Sequence, residues 1–162
     1  MAKSPQQVFE ELTQGLPKFD DGRINFTGVK KAPVLNVVAY CDGKILIVKR
    51  SQKVSAYKGL WNSVSGFIDE PKPIEEFAAQ ELNEELSVYA DSIKIAEPYE
   101  VVDDAIDRIW VVYPVLAVFE KMPDFKLDWE HTDYKWINSE QLKVYNYVKD
   151  LDIAIKRALA LV

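Results

Sequence analysis

The stretch from Gly66 to Val88, GFIDEPKPIEEFAAQELNEELSV, constrains this chain more than any other. Lys72 precedes a proline, which pushes its backbone out of the helical region. Pro73 suits a first helical position, because its φ is already fixed there and its missing N–H is not needed. A helix is therefore expected to begin at about Pro73. Ile74, Phe77, Ala78, Leu82 and Leu86 recur at helical spacing and mark a buried stripe. The polar remainder is one-sided. Glu75, Glu76, Glu81, Glu84 and Glu85 lie on this helix, with no Lys or Arg between Pro73 and Ile93.

Glu81, Glu84 and Glu85 stand at i, i+3 and i+4, so their carboxylates crowd one patch, each like-charge pair costing about 0.2–0.5 kcal/mol. Glu84 and Glu85 also approach the helix C-terminus, where the macrodipole favours cations. A solvated face would interleave Lys or Arg, and this one does not. Charge pattern alone leaves two readings open. One is a site for a hard divalent cation such as Mg²⁺, which takes oxygen ligands and retains waters and substrate phosphates. The other is a merely acidic surface.

The same stretch resembles the Nudix box: a glycine, five residues, Glu, seven residues, then Arg-Glu-apolar-x-Glu-Glu-x-Gly-apolar. Gly66 takes the first position, and Glu81, Leu82, Glu84, Glu85 and Val88 match theirs. Lys72 replaces the first Glu, Gln80 the Arg and Ser87 the second Gly. The resemblance implies an α+β Nudix fold, an α/β/α sandwich with a mixed β-sheet between helices. It also implies Mg²⁺ or Mn²⁺ held by Glu81, Glu84 and Glu85, with the Gly66 carbonyl as a further ligand. The implied reaction is hydrolysis of a nucleoside diphosphate linked to another moiety. In the family the first Glu and the Arg brace loop against helix; here both are replaced together, so no orphan charge remains. Ser87 at a left-handed helix end costs about 1 kcal/mol relative to glycine. These departures leave an alternative, a weakly active or inactive nucleotide-binding module on the same fold.

At 162 residues the chain suits one domain, 1–162, with residues 1–32 as an N-terminal extension and 33–162 as the core. Its net charge of −6 opposes binding of a nucleic-acid polymer, whose affinity rests on neutralised phosphates. A small nucleotide or diphosphate carried by metal ions remains compatible. Cys41 is the only cysteine and His131 the only histidine, so neither a disulfide framework nor a Cys or His zinc site is available. That count also opposes an isopentenyl-diphosphate isomerase, which shares the fold but uses a cysteine and several histidines. MAKSPQQVFEEL lacks a signal-peptide core and no apolar run reaches membrane length, so a cytoplasmic protein without a membrane partner is expected. A homodimer is compatible on general grounds.

Along the chain, Pro5 to Gly15 reads as an amphipathic helix with Val8, Phe9 and Leu12 on one side. Turns follow, with one short strand around Arg23 to Thr27. Val34–Tyr40 and Lys44–Arg50 are strands joined by Asp42-Gly43, a hairpin signal. Cys41 at that turn is a quiet small residue. A polar loop from Ser51 to Gly59 leads to a strand around Trp61 to Ile68, with Trp61 in the core. Ser92 to Val102 reads as one strand, and Asp103, Asp104 and Asp107 as an acidic turn. Arg108–Phe119 is a central strand in which Pro114 implies a bulge or a local edge. Asn138 or Ser139 caps a helix to about Val144, and Asp150–Leu161 forms a last helix with Leu151, Ile155, Ala158, Leu159 and Val162 on its apolar side.

Trp129 to Leu142 is the second stretch of interest. Many Nudix sequences carry a similar Glu-His-x-x-Tyr-x-Trp segment, whose glutamate reaches the metal site from outside the box. By that resemblance Glu130 is a candidate extra ligand or general base, beside Glu85 and Glu84; a solvated loop carboxylate is the plainer alternative. His131 reads as a hydrogen-bonded loop residue, and Tyr134 and Trp136 as core-facing. Lys49, Arg50, Lys53 and Lys72 are candidate phosphate contacts. A protein-interaction domain with an acidic face is a further alternative, and it predicts no dependence on divalent ions.

Overall fold

The computed structural model describes residues 3–162; the first two positions of the expected 1–32 extension lie outside them. In chain order the elements are α1 (Pro5–Thr13), β1 (Lys31–Cys41), β2 (Lys44–Arg50), β3 (Trp61–Asn62), β4 (Val64–Phe67), α2 (Ile74–Leu86), β5 (Ser92–Ile95), β6 (Tyr99–Asp103), β7 (Arg108–Val118), β8 (His131–Ile137) and α3 (Leu151–Leu159). Short 3₁₀ turns cover Asp104–Ile106 and Ser139–Val144.

Asp42 and Gly43 take φ of 50° and 78°, the left-handed pair that a two-residue hairpin needs to match strand twist. The hairpin is paired only at its root, Tyr40 with Ile45 and Cys41 with Lys44. Beyond that β1 and β2 splay, and the chain from Trp61 to Phe67 fills the opening. Its first half, β3, pairs with β2, and its second half, β4, pairs with β1 (Leu35 opposite Gly66). The single strand expected over Trp61–Ile68 is thus broken at Ser63, because its halves follow different partners. Trp61 is buried, its ring edge-to-face with Tyr145 at 5.2 Å.

β7 is the central strand. It runs parallel to β1 from Ile109 to Val118 with no shift in register. On its other edge lie two antiparallel strands, β5 and β6, where one was expected over Ser92–Val102. The break falls at Glu97-Pro98, since proline brings no N–H to a ladder. Pro114 sits at the junction between β5 and β6, with its carbonyl accepting from the Ala96 N–H at 2.9 Å. Its missing N–H faces that gap, so the local edge is what β7 uses and no bulge is needed.

Side chains alternate across the sheet. On one face Leu35, Val37, Ala39, Tyr113 and Val115 pack with Phe9 of α1 and with Ile74, Phe77, Ala78, Leu82 and Leu86 of α2. On the other, Val38, Ile45, Ile47 and Leu116 pack with Leu151, Ile155 and Ala158 of α3. The result is a mixed sheet between helices, the α/β/α sandwich expected. Several local expectations change. The strand around Arg23–Thr27 reduces to a single bridge between Lys18 and Ile24. Pro73 is the residue before the first helical turn of α2, not the first in it. The helix expected up to Val144 is a 3₁₀ turn. Tyr134 faces outward at 46% exposure, its ring 4.5 Å from that of Phe125, and Val162 is exposed. No helix among the described residues is long and apolar enough to cross a membrane.

The end of α2 fixes the site. Ser87 takes φ 58°, ψ 40° and its N–H returns to the Asn83 carbonyl. The loop ahead of β8 then folds back. The Lys126 N–H donates to the Leu86 carbonyl at 3.1 Å and the Asp128 N–H to the Glu85 carbonyl at 3.2 Å, satisfying acceptors that a helix end leaves open. Replacing Ser87 with glycine relieves about 1–2 kcal/mol of left-handed strain and loses about 0.4–1 kcal/mol through the unfolded chain. Ser87→Gly is therefore expected to stabilise by about 0.5 kcal/mol, read as a higher urea midpoint at unchanged m-value.

Candidate functional site

The three box glutamates project from α2 at different depths. Glu84 is exposed, Glu81 half-buried, and Glu85 buried at 2% exposure, sharing the apolar stripe with Leu82 and Ala78. They line a cleft of about 590 Å³ with Gly66, Phe67, Asp69, Glu70, Arg23, Asp128, Trp129 and Glu130 among its walls. β4 brings Gly66 against α2. A Cβ there would stand 2.6 Å from the Glu81 carboxylate, so any other residue would make that side chain shift. The structure thus brings together Gly66, Glu81, Glu84, Glu85 and Glu130.

Glu85 sits in an unusual environment for an acid. Its Oε1 lies 3.4 Å from His131 Nε2, and Oε2 is buried with no hydrogen-bond partner among the described residues. His131 is itself buried, and its Nδ1 is 3.0 Å from Asp128 Oδ1. Burial first, then the neighbouring Glu81 carboxyl, drives the Glu85 pKa well above the usual carboxylate range. Burial pushes Glu81 up to about 7, with Glu84 and Glu130 adding like charge. Glu130 is raised too, by burial and then by Asp128, while Arg50 opposes the shift. Burial lowers the His131 pKa, so its contact with Glu85 is not an ion pair at neutral pH.

These features fit a divalent cation. An orphaned buried carboxylate oxygen and three carboxylates that repel each other describe a place short of positive charge, and Gly66 leaves room beside them. Glu85, Glu130 and His131 offer ligand atoms within 4.8 Å of one another.

The departures from the box have partners. Lys72 Nζ donates to Gln80 Oε1, and Gln80 Nε2 donates to Glu84 Oε1 at 2.8 Å. Lys72 also lies 3.6 Å from Glu70 and 4.4 Å from the Phe77 ring centroid. Loop and helix are braced by a Lys–Gln pair, which occupies Lys72 outside the cleft wall. Arg50 Nε donates to the Ala56 carbonyl, and Lys53 is exposed on the following loop; neither lines the cleft. Arg23 does, 3.8 Å from Asp69; far from the box in sequence and set among turn residues, it carries no local signal. His131 is hydrogen-bonded as expected, though from the first position of β8 and not from a loop.

Glu81 binds its proton more tightly folded than unfolded. The stability this contributes is full below about pH 4.5 and is lost as pH rises through about 7. In chelator, Glu81→Gln should gain thermal stability over the unmodified chain across that window. The gain should shrink when Mg²⁺ is added, and melting curves from pH 4.5 to 8 check both.

The family model for the NUDIX domain matches residues 30–159. The chain is 27% identical over 131 residues to the nucleoside triphosphatase NudI of Salmonella paratyphi B, covering 74% of this chain and 88% of that protein. Among solved structures it is similar to a MutT NUDIX hydrolase from Burkholderia pseudomallei (TM-score 0.66, 20% identity, 78% of this chain and 97% of that one). It is also similar to the NUDIX domain of Shewanella oneidensis NrtR complexed with ADP ribose (TM-score 0.65, 21% identity, 81% and 88%).

Proposed function

Because the chain belongs to the Nudix family, we propose that it hydrolyses the diphosphate linkage of a nucleoside diphosphate joined to another moiety, using Mg²⁺ or Mn²⁺. The observation that carries this is Glu85 Oε2, a buried carboxylate oxygen without a partner at the floor of a cleft lined by four more carboxylates of α2 and its facing loop, Glu81, Glu84, Asp128 and Glu130. Glu81, Glu84 and Glu85, with the Gly66 carbonyl, are the groups that hold the cation. A cation held there supplies the positive charge that lets an anionic diphosphate approach, and makes water a better nucleophile.

The chain's own residues do the rest. Glu130 is half-buried on the open side of Glu85 and carries a raised pKa, so it is the carboxylate that takes the proton of the attacking water. Its backbone is held on both sides: the Glu130 carbonyl accepts from the Ser51 N–H at 2.7 Å, and its N–H donates to Asp128 Oδ1 at 3.1 Å. Gln80 orients the exposed Glu84. Arg23, paired with Asp21 and Asp69, is the cation at the cleft wall placed to meet a phosphate, while Arg50 at the end of β2 and Lys53 on the loop beyond it stand outside that wall. The Lys72–Gln80 brace weakens the case for an inactive module, since two of the three box departures compensate each other.

Phe67 follows Gly66 into the cleft wall and is 43% exposed. It stacks on Phe26 at 5.9 Å and tilts against Trp110 at 5.4 Å, forming an aromatic shelf beside the carboxylates. A nucleotide base stacked there would leave its phosphates over α2. The NudI relative is described as a nucleoside triphosphatase, so nucleoside triphosphates lead the substrate panel, followed by ADP-ribose, nucleotide sugars and dinucleoside polyphosphates.

Incubating that panel with Mg²⁺, Mn²⁺ or chelator should yield metal-dependent release of nucleotide products. Glu85→Gln should lower kcat at least ~100-fold without loss of the fold by circular dichroism. Nucleotide binding without any turnover would leave the binding-module alternative standing. Phe67→Ala should raise KM about 10-fold while leaving kcat within a factor of about two, the pattern of a group that binds substrate and transition state equally.

A further inference from the structure

We propose that His131 is a nitrogen ligand of the cation site, and that it biases the site toward first-row transition-metal ions over Mg²⁺. This rests on the cation reading above and extends it to a residue outside the three box glutamates.

The geometry begins with the tautomer. Asp128 Oδ1 accepts the Glu130 N–H at 3.1 Å and stands 3.0 Å from His131 Nδ1. An ionised carboxylate only accepts, so Nδ1 carries the hydrogen and Nε2 keeps its lone pair. That lone pair faces Glu85 Oε1 at 3.4 Å, inside a pocket where both side chains are almost fully buried. Two electron-rich atoms held face to face away from water are joined by a shared proton or by a cation that displaces it. Donors each about 2.1 Å from one ion, at angles of about 90–110°, stand about 3.0–3.4 Å apart. The observed separation matches that of two ligands on one ion. Glu130, the third member of the group, bounds it on the cleft side.

A carboxylate behind the distal nitrogen of a histidine is the arrangement that fixes a metal-binding imidazole and raises its basicity. Asp128 is placed for it by the same turn that caps α2, through the Asp128 N–H to the Glu85 carbonyl at 3.2 Å. One chain segment thus delivers the imidazole, its orienting carboxylate and Glu130 together. All-oxygen sites suit Mg²⁺, whereas an imidazole adds affinity for transition ions.

The chain has one histidine, which makes the test direct. Mn²⁺ is bound to protein carrying ordinary or ¹⁵N-labelled histidine and examined by electron spin-echo modulation. Nitrogen modulation that changes with the label is the expected result and needs no variant. Bound Mn²⁺ without nitrogen coupling overturns the inference but leaves the cation site intact; no Mn²⁺ binding at all overturns both. By calorimetry, His131→Gln should weaken Mn²⁺ at least ~10-fold and Mg²⁺ less than ~3-fold. Equal losses for the two ions would mark a purely structural histidine and sink the assignment.

Discussion

Two backbone hydrogen bonds at the C-terminal end of α2 hold the site together. The carbonyls of Glu85 and Leu86 would be left open by the helix, and the Asp128 and Lys126 N–H groups close them. This ties the loop ahead of β8 directly over the most buried glutamate. Asp128, Glu130 and His131 depend on it for their positions, and β8 carries the constraint onward by pairing with β2. On the opposite wall β4 presses Gly66 against Glu81. The cleft is the gap between these two supports.

Such a site works against the stability of the protein that carries it. Burying Glu85 on the same stripe as Leu82 places a carboxylate where a leucine would pack, and Glu81 one turn away adds like charge. The surrounding fold absorbs this with ordinary means: a large two-sided core, a parallel β1–β7 pair running nearly their full lengths, and α1 packed through Phe9 into the same core cluster as α2. Unfavourable burial concentrated at a few positions of an otherwise regular fold is a feature that functional sites share.

Much of the fold was legible in local pattern. The stripe Ile74, Phe77, Ala78, Leu82, Leu86 is buried as its spacing demands, and Asp42-Gly43 makes the turn its residue types favour. Local pattern fails mostly where a partner far along the chain decides. Trp61–Ile68 has the composition of one strand but is shared between β2 and β1. Ser92–Val102 is the exception, since the Pro98 that divides it into β5 and β6 is local and visible in the sequence. Tyr134 alternates correctly for a strand, but β8 lies at the sheet edge where its outer side meets water.

By itself the sequence determined the helix, the order of three glutamates along it and the glycine that precedes it, because these depend on spacing within a few turns. It also determined that Lys72, Gln80 and Ser87 break the expected pattern. Only the tertiary structure decided that Lys72 and Gln80 bond to each other, that Glu85 is buried while Glu84 is exposed, and that His131 faces Glu85 with Asp128 behind it. The reason is physical. Burial and the direction of a lone pair are set by which segments pack together, and residues 85 and 131 meet only after the sheet has brought β8 to the end of α2.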